Sequence, residues 1–266
     1  KINGSSVVTI KNGTMVAAGE LTSGAYGTVR TEGEAIVTLE DVKLYSYRGY
    51  GLNVKANTGT TVNINHSEIY SQYSGGVEAA GGEINLTDVK IEQRGIYSSA
   101  AWCSVAIGVN GGGKVTVNSG EYSASAISTD SNFSQGTWVA YVMSSGGTLE
   151  INGGTFNGTV AETAAAANAC GLICADRAAV VNIKGGTFNS NGAILDMRNN
   201  VGTQPNPVAT LAGGTFTSDP RVSGLYSSNL IKVAEGYKVV ENNGAWNVIV
   251  DPAAKIGSTE YATLQE

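Results

Sequence analysis

The chain has 266 residues, 22 Asp plus Glu against 16 Lys plus Arg, a net charge of -6 and a pI of about 4.9. That balance argues against a phosphate-binding surface and so against nucleic acid as a partner. Charged residues are only 14%, with 36 Gly and 4 Pro, which excludes a highly charged disordered segment and a proline-rich linker. No apolar run approaches the roughly 18 residues of a membrane helix, so the chain is not expected to be membrane-embedded.

In chain order, eight short triplets align: Val8-Thr9-Ile10, Val37-Thr38-Leu39, Val62-Asn63-Ile64, Ile84-Asn85-Leu86, Val115-Thr116-Val117, Leu149-Glu150-Ile151, Val181-Asn182-Ile183 and Ala209-Thr210-Leu211. Each alternates apolar, polar, apolar, the period of a strand with one buried face. Five residues past each triplet comes a second apolar column: Met15, Leu44, Ile69, Ile91, Tyr122, Phe156, Phe188 and Phe216. That spacing breaks the alternation, so the chain must bend between the two. Gly153-Gly154, Gly185-Gly186 and Gly213-Gly214 sit where the bend falls.

Upstream of the triplets lie further apolar stretches, such as Gly51-Leu52-Asn53-Val54 and Gly171-Leu172-Ile173-Cys174. Two or three strands per unit, recurring at roughly 22 to 34 residues, predict a solenoid whose coils bury one another. The longest units carry insertions at Ser128 to Gly136, Val160 to Ala169 and Asn199 to Pro207, and Ala164 to Ala167 could form a helical turn. After Phe216 the pattern changes. Tyr237 to Val250 reads as two strands around an Asn243-Gly244 turn, a hairpin suited to cap the last coil.

The expected fold is thus all-β: a right-handed parallel β-helix of about eight coils over residues 1–235, a capping hairpin over 236–251, and a linker or start of a following module over 252–266. Starting at Lys1 without Met and ending at Tyr261-Ala262-Thr263-Leu264-Gln265-Glu266, the sequence looks excised from something longer, its end reading as an incomplete helix. Cys103, Cys170 and Cys174 lack metal-ligand spacing and are expected to be buried thiols. An extended run would hold the Cα atoms of Cys170 and Cys174 about 13 Å apart, beyond disulfide reach. A disulfide involving Cys103 stays open.

The three Gly-Gly-Thr-Phe segments, the Tyr237 to Val250 segment and the terminal Tyr261 to Glu266 segment together resemble right-handed parallel β-helix regions of large secreted and surface proteins of Gram-positive, gut-type bacteria. The resemblance covers nearly the whole chain. It implies an extracellular, cell-wall-associated or secreted location, and a fold shared with the wider pectin-lyase-like superfamily. That superfamily includes polysaccharide lyases, glycoside hydrolases, phage tailspikes and adhesins, so fold alone does not select an activity.

Three constellations could carry chemistry. Asp41, His66 and Asp88 share the column two residues past the triplet, placing the only histidine between two carboxylates. Such a set resembles hydrolytic sites of some β-helix glycosidases; a structural ladder is the competing expectation. Asp176-Arg177 and Asp196-Met197-Arg198 place acids and bases in neighbouring coils, and Asp176 with Arg198 is the second catalytic candidate. Without an Asp-Asp pair or a Gly-His-Gly stretch, mutual ion pairing across coils is the reading favoured for it. Lys43, Glu68, Lys90 and Glu121 form an alternating charge column expected to control register.

The third constellation is aromatic. Tyr45 and Tyr70 share a column, with Tyr47, Tyr50, Tyr73, Tyr97 and Trp102 in the same turn region and Arg48, Gln72, Gln93 and Arg94 nearby. Flat rings beside amide and guanidinium groups suit sugars or a partner protein; a tyrosine-lined flank is equally expected with no ligand, since tyrosine is a good strand residue. The expected function is a noncatalytic extracellular module used for adhesion, through a glycan or a host surface protein, or as a rigid spacer. No cofactor and no metal are expected. Polysaccharide cleavage and a phage tail or fibre segment are the alternatives.

Overall fold

In a computed structural model the described residues are 1–18, 27–47, 49–55, 59–72, 75–94, 104–129, 136–143, 145–160, 171–198, 205–224, 228–252, 254–256 and 259–261. Among them the secondary structure is almost all strand, and the one helical segment is the 3-10 turn Ser228–Leu230. No helix among them is long and apolar enough to cross a membrane.

The strands follow one another around three faces. Ile2–Asn3, Val7–Lys11 and Thr14–Ala17 begin faces A, B and C, and Val29–Glu32, Ile36–Glu40 and Lys43–Ser46 repeat the order one layer on. Each strand pairs in parallel with its counterpart in the next round. Face B is a 9-stranded sheet, while faces A and C join into an 18-stranded sheet. Gly120–Thr129 links them by an antiparallel pairing with Gly136–Val142. This is the stacking of a parallel β-helix solenoid, and the triplet alignment holds residue for residue on face B: Val37, Val62 and Ile84 are in register, as are Leu39, Ile64 and Leu86.

Period-two alternation puts the triplets' apolar residues inside. Val37, Leu39, Val62, Ile64, Ile84, Leu86, Val115, Val117, Leu149, Ile151, Val181 and Ile183 are fully buried. The second apolar column lines face C from within, and its aromatic members stack. Ring centroids lie 5.0 Å apart for Tyr122–Phe156, 4.9 Å for Phe156–Phe188 and 4.8 Å for Phe188–Phe216. The strand spacing of about 4.8 Å fixes that interval, and each aromatic pair adds about 0.5–1.5 kcal/mol beyond its burial.

Two kinds of corner turn face B into face C. In the early rounds Asn12, Asp41, His66 and Asp88 hold φ of 55°, 54°, 46° and 54°, the left-handed region that Asn, Asp and His tolerate best among residues with a side chain. In later rounds the turn moves one residue on. Gly154, Gly186 and Gly214 carry φ of 99°, 104° and 108°. The glycine before each serves a different need: a Cβ on Gly153, Gly185 or Gly213 would come within 2.7, 2.5 or 2.1 Å of the carbonyl oxygen of Asn118, Asn152 or Lys184 in the round below.

Outward side chains on neighbouring rounds pair along the stack. Lys43 Nζ lies 3.1 Å from Glu68 Oε1, and Glu68, Lys90 and Glu121 continue in register. Lys11–Glu40 and Lys184–Glu150 bridge other rounds at 2.6 and 2.7 Å. Amide ladders run beside them, Asn85 donating to Asn63 at 3.0 Å and Asn189 to Asn157 at 2.8 Å.

Tyr237–Asn242 and Ala245–Val250 form the expected hairpin, with Asn243 and Gly244 both at positive φ. Ala245–Val250 pairs antiparallel with Thr215–Phe216. The incomplete helix read from Tyr261 to Glu266 lies, beyond Tyr261, outside the described residues; Tyr261 itself ends the strand Thr259–Tyr261, paired with Ala254–Ile256. Cys174 is a buried thiol; Cys103, Cys170 and the polyalanine run lie outside the described residues.

Candidate functional site

Face C presents an exposed flank built by the register just described. Val16, Tyr45 and Tyr70 align across successive rounds on the outward column. Two residues further along, the backbone amides of Tyr47, Gln72 and Arg94 bond to Ala17, Ser46 and Ser71 of the round below, which holds a second outward column parallel to the first. Between the columns lies a cavity of about 230 Å³ lined by both and floored by Ala17, Ser46 and Ser71. The walls are open to solvent: Val16 is 65% and Tyr47 41% exposed.

The structure brings Tyr45, Tyr47, Tyr70 and Arg94 together here. Tyr50 does not join them, being buried in the face A strand Tyr50–Val54, and Tyr73, Tyr97 and Trp102 lie outside the described residues. Tyr45 and Tyr70 stack with centroids 5.0 Å apart at 13°, and the Arg94 guanidinium sits 4.4 Å above the other face of Tyr70. The flat surfaces expected from the sequence are therefore turned toward neighbours, and the rings offer edges and hydroxyls to the cavity. Tyr70 donates its hydroxyl to Glu68 Oε2 at 2.6 Å. That bond, with burial and the Glu68 charge adding to it, pushes the phenol up to about 12. Glu68 is held below the usual carboxylate range by the same bond and by Lys43.

Arg94 pairs with the carboxylate of Glu92. Its Nε and Nη2 donate to the two oxygens of Glu92 at 2.8 and 3.3 Å.

Asp41, His66 and Asp88 fall on consecutive exposed corners. Their backbone conformation supplies a reason for the column: the corner selects residue types that accept positive φ, and Asn12 fills the same place one round earlier. His66 and Asp88 line a shallow depression with Glu68, Lys90 and Glu121.

Asp176 and Arg198 sit on face A, whose strands Tyr50–Val54, Gly75–Ala79 and Gly171–Ala175 are buried throughout. Arg198 pairs with Asp196, Nε to Oδ2 at 3.2 Å, and Arg177 with Asp176 at 3.7 Å, each within its own round. The Arg198 guanidinium lies 4.9 Å over the Trp138 ring, and Tyr141 donates to Asp176 Oδ2 at 3.4 Å. Burial works against the charge on Arg198, and Cys174, Asp196 and Tyr141 around it outweigh that and raise its pKa. Arg198 and Asp196 are 1% and 0% exposed, so they present no surface to a substrate arriving from solvent in this conformation.

A second polar site on face A was not singled out from the sequence. Asn53 donates to Glu78 Oε2 at 2.5 Å, with both side chains buried and adjacent in register. Burial pushes the Glu78 carboxyl up to about 7, against the opposing hydrogen bonds from Asn53 and Tyr50. The available signal was a polar residue inside a strand otherwise reading Gly-Gly-Val and Ala, or Gly-Leu and Val.

Among the described residues no cluster of three or more His, Cys, Asp or Glu could hold a metal ion. Comparison with protein-family models, with curated proteins and with solved structures yields no match.

Proposed function

We propose that the chain is a noncatalytic extracellular module of a bacterial surface protein, a stiff right-handed β-helix of eight coils closed by the Tyr237 to Val250 hairpin, which binds glycan through the Tyr45–Tyr70 flank. The observation that carries the reading is the open cavity bounded by Tyr45, Tyr47, Tyr70 and Arg94. Ring edges, hydroxyls and an amide along rigid walls are the mixed apolar and polar surface that sugars require. A parallel stack suits such a role, because every wall residue is fixed by a backbone ladder rather than by a loop.

Immobilised-glycan and host-protein binding assays test the proposal. Tyr45→Ala and Tyr70→Ala should each lower glycan binding at least tenfold while thermal unfolding stays cooperative. Unchanged binding in both variants would remove the site. Release of reducing ends or unsaturated products from pectin-like or mucin-like polymers, abolished by His66→Ala, would replace this reading with polysaccharide cleavage.

A further inference from the structure

We infer that the Tyr45–Tyr70 cavity is one half of a longer trough along face C, that Arg94 bars it, and that its ligand is an extended uncharged glycan lying along the stack. The inference rests on the glycan-binding reading and adds ligand length, direction and charge.

Two cavities share one residue. The first, of about 230 Å³, reaches from Val16 to Arg94. The second, of about 320 Å³, begins at Glu92 and Arg94 and runs past Ser123 to Asn157 and Thr159. Both lie along the same outward column, since Tyr70, Glu92, Ser123 and Asn157 are successive partners in one register. The floor stays low throughout, passing from Ser46 and Ser71 through Gln93 and Ala124 to Gly158. From Tyr45 to Asn157 is four rounds, about 19 Å at strand spacing. A single sugar ring would leave most of that length unfilled.

Arg94 starts from one wall and reaches the other. It is anchored on Glu92 at 2.8 Å and rests on Tyr70 at 4.4 Å, both of which belong to the opposite column. Its side chain is 45% exposed, so the ion pair and the cation–π contact are both of the weak, solvent-screened kind. Swinging Arg94 outward joins the two cavities and uncovers the face of Tyr70, the flat surface on which a sugar ring stacks. Glu68 is compensated by Lys43, and Glu92, uncovered when Arg94 swings out, disfavours acidic chains. Beyond Arg94 the lining is hydroxyl and amide, from Ser123, Asn157 and Thr159. That surface recognises hydroxyl-rich, uncharged chains.

The test uses the full chain and titrates two-sugar and six-sugar members of neutral glucan, mannan and N-acetylglucosamine series, with uronic-acid oligosaccharides of equal length. At least one neutral six-sugar chain should bind more tightly than its two-sugar member and than the acidic chains. Arg94→Ala should tighten that six-sugar binding about 3- to 30-fold by removing the bar. Ser123→Arg, which blocks the trough beyond Arg94, should reduce six-sugar affinity to the two-sugar level and leave two-sugar binding unchanged. Equal affinity for both lengths, with no effect of either substitution, would overturn the trough while leaving the Tyr45–Tyr70 site standing. Tighter binding of the acidic chains would overturn the ligand class. No glycan binding in any series would overturn the functional reading itself, and the inference with it.

Discussion

Replacing Glu78 by Gln should remove a pH dependence that this one carboxyl imposes on the whole fold. Its side chain is 5% exposed, and its pKa moves from 4.5 to about 7, chiefly because burial disfavours the charged form. A carboxyl raised in the folded state binds its proton more tightly there than in the unfolded chain. Its stabilising contribution is therefore fully present below pH 4.5 and is lost as pH rises through about 7. The shift of about 2.5 units corresponds to about 3 kcal/mol. Glu78→Gln keeps an oxygen to accept from Asn53 and stays neutral, so urea unfolding between pH 5 and pH 8.5 should show wild type losing about 3 kcal/mol more than the variant. Because repeat arrays need not unfold in one step, carbon-detected NMR of the Glu78 carboxyl is the direct readout. A midpoint near 4.5, or identical pH dependence in the two proteins, would refute the reasoning.

Other substitutions probe the stack. Phe188→Ala opens a cavity between Phe156 and Phe216 and should cost about 3–5 kcal/mol in chemical denaturation. His66→Val forces a β-branched residue into φ of 46° and should cost about 1–2 kcal/mol, while His66→Asn should be nearly neutral by the same measurement. Equal effects of the two would mean that the corner does not select the residue. Lys43→Glu sets two carboxylates side by side with Glu68 and should cost about 0.2–1 kcal/mol, an effect that shrinks in high salt.

The interior of faces B and C was legible because a strand's side chains alternate strictly and each round repeats the last. Val62-Asn63-Ile64 and the Phe156, Phe188, Phe216 column could be read off by alignment alone. The corners were only half legible. Gly-Gly announced the later bends, but the column of Asn12, Asp41, His66 and Asp88 carried the same message in residue types that also serve catalysis, so a turn signal competed with a chemical one. Face A was obscure for a different reason. Strands such as Tyr50–Val54 and Gly75–Ala79 are buried throughout, which erases the alternation, and the placing of Glu78 beside Asn53 depends on register between rounds. At the candidate site the shared column of Tyr45 and Tyr70 was visible in the sequence. The position of Arg94 over Tyr70 was not, because it depends on how a long side chain folds back across the trough.

Calorimetric titration of the full chain with a neutral six-sugar oligosaccharide, against the Tyr45→Ala/Tyr70→Ala double variant, tests the functional claim most directly. Binding by the wild type that disappears in an equally stable double variant is the predicted result. Equal binding by both proteins, or heat of binding from neither across every neutral series, would contradict it.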